Sequence, residues 1–238
     1  MEHVLVTGAS RGLGLEFTRQ YLKRGAKVFA GYRRVETANS LREINKAQPD
    51  RLVLVPLDVS DEQSILQACE IVRKSTNQLD VLINNAGIGG VDTRTGKQEQ
   101  LGTFHMDDAC VVLRTMAFGP LLLAQECVEL LRKAGNAKII NITSGYGSVS
   151  SNTHKFPYYY SAAKSALHQL MRTLAEDVRP LGISVTLLDP GSVSTDMGGP
   201  TAPLTPTQSV TGMLQVVDGL TLERSNSFIS WQGKQMPW

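Results

Sequence analysis

Short runs of consecutive apolar residues recur along this chain, and between them apolar positions return every three or four residues. The first pattern marks strands buried on both faces, and the second marks helices with one buried stripe. Strands are predicted over residues 4–6, 26–30, 52–57, 81–83, 138–142, 183–188 and 228–231. A first helix is predicted from Leu15, with Phe17, Tyr21 and Leu22 on its apolar side, to near Gly25, and a second over 40–47. A third starts at Ser60, which has the capping-box spacing to Gln63, and runs to about Ser75. A long apolar helix carries Val111, Val112, Leu113 and Met116 and continues to Leu131; Gly119-Pro120 inside it implies a kink or close packing against a neighbour. Two more run from Tyr160 to about Val178 and onward from Thr205-Pro206-Thr207-Gln208.

Alternation of this kind predicts an α/β fold: a single Rossmann-type, doubly wound parallel sheet in a three-layer α/β/α arrangement, with ligands gathered at the carboxyl ends of the strands. The whole chain, 1–238, reads as one domain, without internal repeat, low-complexity stretch or linker. Residues 88–103 are polar and glycine-containing, the signature of a loop. A loop with Tyr146, His154, Phe156, Tyr158 and Tyr159 leads to Tyr160 and is expected to wall a substrate pocket, although packing accounts for any one of these aromatics taken alone. Residues 192–209, rich in Gly, Pro, Thr and Ser, are expected to form a mobile cover over that pocket, and 233–238 a tail.

Composition narrows the function by exclusion. Lys and Arg (24) nearly balance Asp and Glu (22), for a net charge of +2 without a basic stripe, so no nucleic-acid partner is expected. Cys69, Cys110 and Cys127 are odd in number and widely spaced, each within a predicted helix, which suits core residues in a reducing compartment rather than a metal site. The first residues pass from Met1-Glu2-His3 straight into a short strand, giving neither a signal peptide nor a span. A cytoplasmic protein without a membrane partner or a bound metal is expected.

The candidate chemistry lies where the predicted strands end. Thr7-Gly8-Ala9-Ser10-Arg11-Gly12-Leu13-Gly14 joins the first strand to the first helix. Bare backbone at a helix N-terminus, with unpaired N–H groups and the helix dipole pointing outward, makes a site for a dinucleotide's phosphates. After the second strand comes Gly31-Tyr32-Arg33-Arg34, with no acid to hold ribose hydroxyls. Arg33, Arg34 or both, with Arg11, would instead hold a 2′-phosphate, so NADP(H) is expected over NAD(H). Asp58, at the end of the third strand, is placed to accept a hydrogen bond from the adenine amine. Tyr160 and Lys164, four residues apart, share one helix face, where an ammonium would lower the pKa of a phenol and make it a usable proton donor and acceptor.

Taken together, Thr7-Gly8, Gly12 and Gly14, Asp58, Asn84-Asn85-Ala86-Gly87, Ser144, Tyr160 with Lys164, and Pro190-Gly191 with Thr195 resemble the short-chain dehydrogenase/reductase pattern across essentially the whole sequence. Gly119-Pro120-Leu121-Leu122, the run from Thr195 to Pro200 and the Pro237-Trp238 end resemble the C-factor and Sniffer-type carbonyl reductases. The resemblance implies an NADPH/NADP+-dependent oxidoreductase that reduces a small ketone, aldehyde or quinone. In it Tyr160 gives the proton, Ser144 holds the carbonyl oxygen, and Lys164 tunes Tyr160 and binds the nicotinamide ribose. Thr143 is the fallback for Ser144. The cofactor would be bound by Gly8, Ser10, Arg11, Gly12, Leu13, Gly14, Arg33, Arg34, Asp58, Val59, Asn85, Ala86, Gly87, Tyr160, Lys164, Pro190, Gly191, Val193 and Thr195. Relatives suggest a homodimer or homotetramer. Two departures stand out. Met116 occupies the place of a water-holding asparagine, and sixteen positions, a long stretch, lead from Ser144 to Tyr160. Met116 also leaves open a second class of function, a cofactor-binding regulator with little catalysis.

Overall fold

The computed structural model describes residues 1–89, 99–152 and 157–238. Strands β1 His3–Val6, β2 Lys27–Tyr32, β3 Leu52–Pro56, β4 Val81–Asn84, β5 Lys138–Ile142, β6 Ser184–Asp189 and β7 Ser227–Ser230 form one sheet in the order β3-β2-β1-β4-β5-β6-β7. Every neighbouring pair is parallel. The strand order reverses at β1, where Val6 pairs with Ala30 of β2 on one side and Ile83 of β4 on the other. A crevice opens at such a switch point because the chain leaves the two neighbouring strands in opposite directions.

Successive strand residues point to opposite faces, and the two faces build two cores. Val4, Val6 and Val28 pack with Phe17 and Tyr21 of α1 (Gly12–Lys23), Leu41 of α2 (Asn39–Ala47) and Met213 of α7 (Pro206–Asp218). Leu5, Phe29 and Ile139 pack with Ile65 and Val72 of α3 (Glu62–Ser75), Leu123 of α5 (Gly119–Ala134) and Leu167 of α6 (Tyr158–Val178). The fold is thus the three-layer α/β/α arrangement that the alternation predicts.

Several local details differ from the sequence reading. Asp61, not Ser60, caps α3, accepting from the Ser64 N–H at 3.1 Å. The Ser60 hydroxyl instead donates to Asp58 Oδ1 at 2.6 Å, so the competing carboxylate displaces the cap by one residue and no capping box forms. α6 begins at Tyr158, two residues before Tyr160. The capping box at Thr205 and Gln208 starts α7 inside the stretch 192–209, and Ser209 is buried with its hydroxyl on the Pro190 carbonyl at 2.7 Å. Cys69 and Cys127 are buried with their sulfurs 3.8 Å apart, but Cys110 is exposed on the outer side of α4 (Met106–Leu113). Within the loop expected over 88–103, residues 90–98 lie outside the described residues, as do His154 and Phe156.

The long apolar helix shows both consequences expected of Gly119-Pro120. Residues Arg114–Phe118 form a wider π-helical turn between α4 and α5. A Cβ on Gly119 would lie 2.2 Å from the Val59 carbonyl oxygen, so only glycine lets α5 approach the end of β3 this closely. By length and composition the helix over Met106–Ala134 would suit a bilayer, yet half of its most apolar window is buried within the protein, as in a core helix.

Candidate active site

The carboxyl ends of the strands bound a cleft of about 350 Å³. At its centre is the turn after β1. Gly8 and Gly12 have φ of +63° and +54°, a conformation that favours glycine. A Cβ on Gly14 would meet the Gly8 carbonyl oxygen at 2.2 Å, so this glycine permits α1 to lie against the turn. No side chain caps the α1 N-terminus, and no acid occupies its first turn. Those free N–H groups suit an anion.

Thr7 ties this turn to the end of β4. Its hydroxyl accepts from the Asn85 and Ala86 N–H groups, each at 2.9 Å, while Asn85 Nδ2 donates to the Thr7 carbonyl at 2.8 Å. Arg33 and Arg34 line the cleft beyond β2, together with Thr37, which the sequence reading did not single out. Arg11 also lines it and reaches across its mouth to Asp196, Nη1 to Oδ2 at 2.6 Å. Both partners are largely exposed, so the pair is weak and its guanidinium remains available to a stronger anion.

The opposite end of the cleft holds the titratable groups. Tyr160 shares a hydrogen bond with Ser144, and the Tyr146 ring meets the Tyr160 ring edge-on at 6.2 Å. Lys164 Nζ lies 5.7 Å from the centre of the Tyr160 ring and donates to the Ile142 carbonyl at 2.8 Å. The expected depression of the Tyr160 pKa is absent among the protein groups alone. Burial pushes it up to about 12, the Ser144 hydrogen bond opposing, because the ammonium is turned to the Ile142 carbonyl. Burial also brings Lys164 down to about 8, against the attraction of Asp189. Tyr160 is therefore held in its protonated form at neutral pH, and Lys164 is the group that titrates nearest to it.

The structure gathers most of the expected cofactor residues along this cleft, including Ser10, Leu13, Asp58, Val59, Gly87, Pro190 and Thr195. Gly14, Ser144, Gly191 and Val193 are not among its lining residues: Gly14 is buried, Val193 is buried and bridged to Leu204, and Ser144 and Gly191 are half-buried, Ser144 beside Tyr160. Met116, in the π-helical turn, lines the cleft with its sulfur 3.5 Å from where a Cβ on Gly87 would be. Met197, Ile88 and Thr143 also line it. Tyr159, expected in the pocket wall, instead bolts α6 to α4: its hydroxyl accepts from the His105 N–H at 2.7 Å and lies 3.1 Å from the His105 carbonyl.

Three supports of the loop after β5, which carries Ser144, were not legible in the sequence. His168 Nε2 is 2.7 Å from the Thr143 hydroxyl, and burial together with Lys164 lowers its pKa to about 4. The Asp189 carboxylate accepts from the Gly145 and Gly191 N–H groups at 2.5 and 2.7 Å. The tail closes beneath: the Trp238 carbonyl accepts from the Ser150 N–H at 3.0 Å, and the Trp238 ring packs on His168 and on the Arg172 guanidinium, 4.5 Å from its centre.

A glycine turn at an uncapped helix on a parallel sheet, with Ser, Tyr and Lys at the far end of the same crevice, defines a nucleotide-dependent oxidoreductase of the short-chain dehydrogenase kind. The short chain dehydrogenase family matches residues 2–203, and the chain belongs to that family. Among curated relatives, C-signal of Myxococcus xanthus is 39% identical over 163 residues, covering 68% of this chain and 95% of that protein. An NADPH-bound carbonyl reductase from chicken fatty liver superposes with a TM-score of 0.91 at 36% identity, covering 100% of this chain and 99% of that one. Carbonyl reductase Sniffer of Drosophila melanogaster superposes with a TM-score of 0.92 at 29% identity over the whole of both chains. Within the family the chain is thus of the carbonyl reductase and Sniffer type.

Proposed function

We propose that this protein reduces a small, largely apolar carbonyl compound to the alcohol with NADPH. The observation that carries the reading is that one cleft has Tyr160, with Ser144 as its neighbour, and Lys164 at one end and three arginines without a ribose-binding acid at the other. The donor set fits the cofactor. Free N–H groups at α1 receive the diphosphate, Arg11, Arg33 and Arg34 receive the 2′-phosphate, and Asp58 retains Oδ2 for the adenine amine while Oδ1 accepts from Ser60. When bound, NADPH supplies the hydride. Ser144 holds the carbonyl oxygen, and Tyr160 donates its phenolic proton to that oxygen as negative charge develops on it. Lys164, anchored on the Ile142 carbonyl, holds the nicotinamide ribose and places a positive charge beside the phenolate left behind.

The stretch 192–204, with Met197 facing the cleft and Asp196 paired to Arg11, serves on this reading as the substrate cover. The whole chain acts as one catalytic domain. A homodimer or homotetramer would be built on the outward side of the Met106–Ala134 helix, where Val111 and Phe118 are exposed. The test is consumption of NADPH and NADH against a panel of ketones, aldehydes and quinones, with the alcohol product identified. Turnover with a preference for NADPH supports the reading. NADPH binding without turnover on any carbonyl overturns it. A second reading, a cofactor-binding regulator on the same fold, is favoured by Met116, whose thioether is a weak acceptor at the place where the family pattern that the sequence resembles has a water-holding asparagine.

A further inference from the structure

The residue that the mechanism leaves unused is Asp189, a carboxylate at the end of β6 and at the centre of the site. Its two oxygens are divided between two loops. Oδ2 accepts from the N–H of Gly145, next to Ser144, at 2.5 Å, and Oδ1 accepts from the N–H of Gly191, at the start of the stretch leading to Thr195, at 2.7 Å. One side chain therefore spans the loop that carries Ser144 and the loop whose Gly191, Val193 and Thr195 are expected to bind the cofactor. A serine or asparagine there would lack a second anionic acceptor; an amide would turn an NH2 group toward one of the two N–H donors.

Asp189 also sets the local field. Burial disfavours its charge, while the two N–H donors and Lys164 favour it. Its charge in turn attracts the Lys164 ammonium and opposes ionisation of Tyr160. The other titratable groups around it are Tyr146, on the turn after β5, and His168 on α6, which burial and Lys164 keep neutral. Beside it the tail contributes the Met236 methyl group, near Gly145. We propose that Asp189 is a positioning residue for carbonyl reduction: its carboxylate clamps the Ser144 loop to the Gly191 loop through the Gly145 and Gly191 N–H groups, beside Tyr160 and Lys164. The inference rests on the reductase reading of the same cleft.

The test uses Asp189→Asn and Asp189→Glu in the full chain, with NADPH binding followed by cofactor fluorescence across pH. Binding needs no turnover, so its outcome is separate from success or failure on the carbonyl panel. In the wild type the affinity falls on the alkaline side as Lys164 loses its proton. In Asp189→Asn that limb is expected at lower pH by about one unit, the scale of a lost neighbouring charge. On a Lys164→Arg background, where no proton is lost, the same change is expected to produce no shift. Asp189→Glu, which keeps the charge but misplaces the clamp, is expected to leave the limb in place while kcat on the best carbonyl falls at least tenfold. An unmoved limb in Asp189→Asn, a shift that persists beside Arg at 164, or full kcat in Asp189→Glu would each overturn the proposal. If Asp189→Asn does not fold, Asp189→Glu decides between the two outcomes for the clamp.

Discussion

His168 shows how a single side chain can link the Thr143-Ser144 segment to the stability of the fold. It is almost fully buried against Phe228 and Trp238, and its pKa falls from 6.5 to about 4. The unfolded chain takes up this proton first, so the contribution is complete above about pH 6.5 and is lost as pH falls toward 4. At about pH 5 the loss is about 2 kcal/mol. His168→Gln is expected to remove this part of the acid dependence, which chemical denaturation at pH 7 and pH 5 would measure; an unchanged difference between the two pH values would exclude His168 as its source. At the far end of the cleft, Arg33→Ala and Arg34→Ala should separate the two candidates that the sequence leaves open. The residue contacting the 2′-phosphate is expected to lose about 1.5–3 kcal/mol of NADPH affinity, the scale of a charged hydrogen bond, with NADH affinity unchanged. Titration of both variants with both cofactors would show it, and parallel losses for NADPH and NADH would contradict the assignment. Residue chemistry of this local kind was legible in the sequence, since the glycine turn, the arginines after β2 and the Tyr160–Lys164 pair each fall within a few consecutive positions. Asp189 was not, because its partners Gly145 and Gly191 come together only when β5 and β6 pair.

Elements were legible wherever one physical signal dominated. Strands buried on both faces and the Thr205–Gln208 capping box are where their patterns put them. Where two signals competed the sequence misled: Ser60 had a capping partner in Gln63 but also a nearer carboxylate in Asp58. Tyr159 was grouped with the pocket aromatics, yet adjacent helical residues diverge by roughly 100° about the axis, so it faces α4 while Tyr160 faces the cleft. The tail carried no periodicity to mark an element, and its brace on Ser150 depends on tertiary contacts alone. The Gly119 contact makes the sharpest prediction at this scale. Adding a methyl group there drives it into the Val59 carbonyl, and backbone cannot rotate away as a side chain can. Gly119→Ala is expected to destabilise the fold by about 1–3 kcal/mol, as overpacking does, and to weaken NADPH binding through Val59, which lines the cleft. Urea unfolding with and without cofactor would measure both; wild-type stability would mean that α5 has room to retreat.

Over the whole molecule, the parallel sheet brings distant stretches of chain to the carboxyl ends of β1 and β4, and helices on both faces fix those ends in place. The glycine turn comes from the first strand, Tyr160 from α6, and the loops joined by Asp189 from the ends of β5 and β6. Such a site works by holding groups already in position, so that little reorganisation accompanies the developing charge. Protein groups alone leave Tyr160 protonated at neutral pH, with a pKa near 12, which suits a donor of protons to a carbonyl undergoing reduction. The direct test is transfer of deuterium from NADPH labelled at the reactive nicotinamide carbon to a ketone or aldehyde that turns over, in the wild type and in Tyr160→Phe. The label is expected at the former carbonyl carbon of the alcohol, with the rate in Tyr160→Phe lower by roughly 10²–10⁴-fold, the range for loss of a general acid. Labelled alcohol formed by Tyr160→Phe at the wild-type rate would contradict the account.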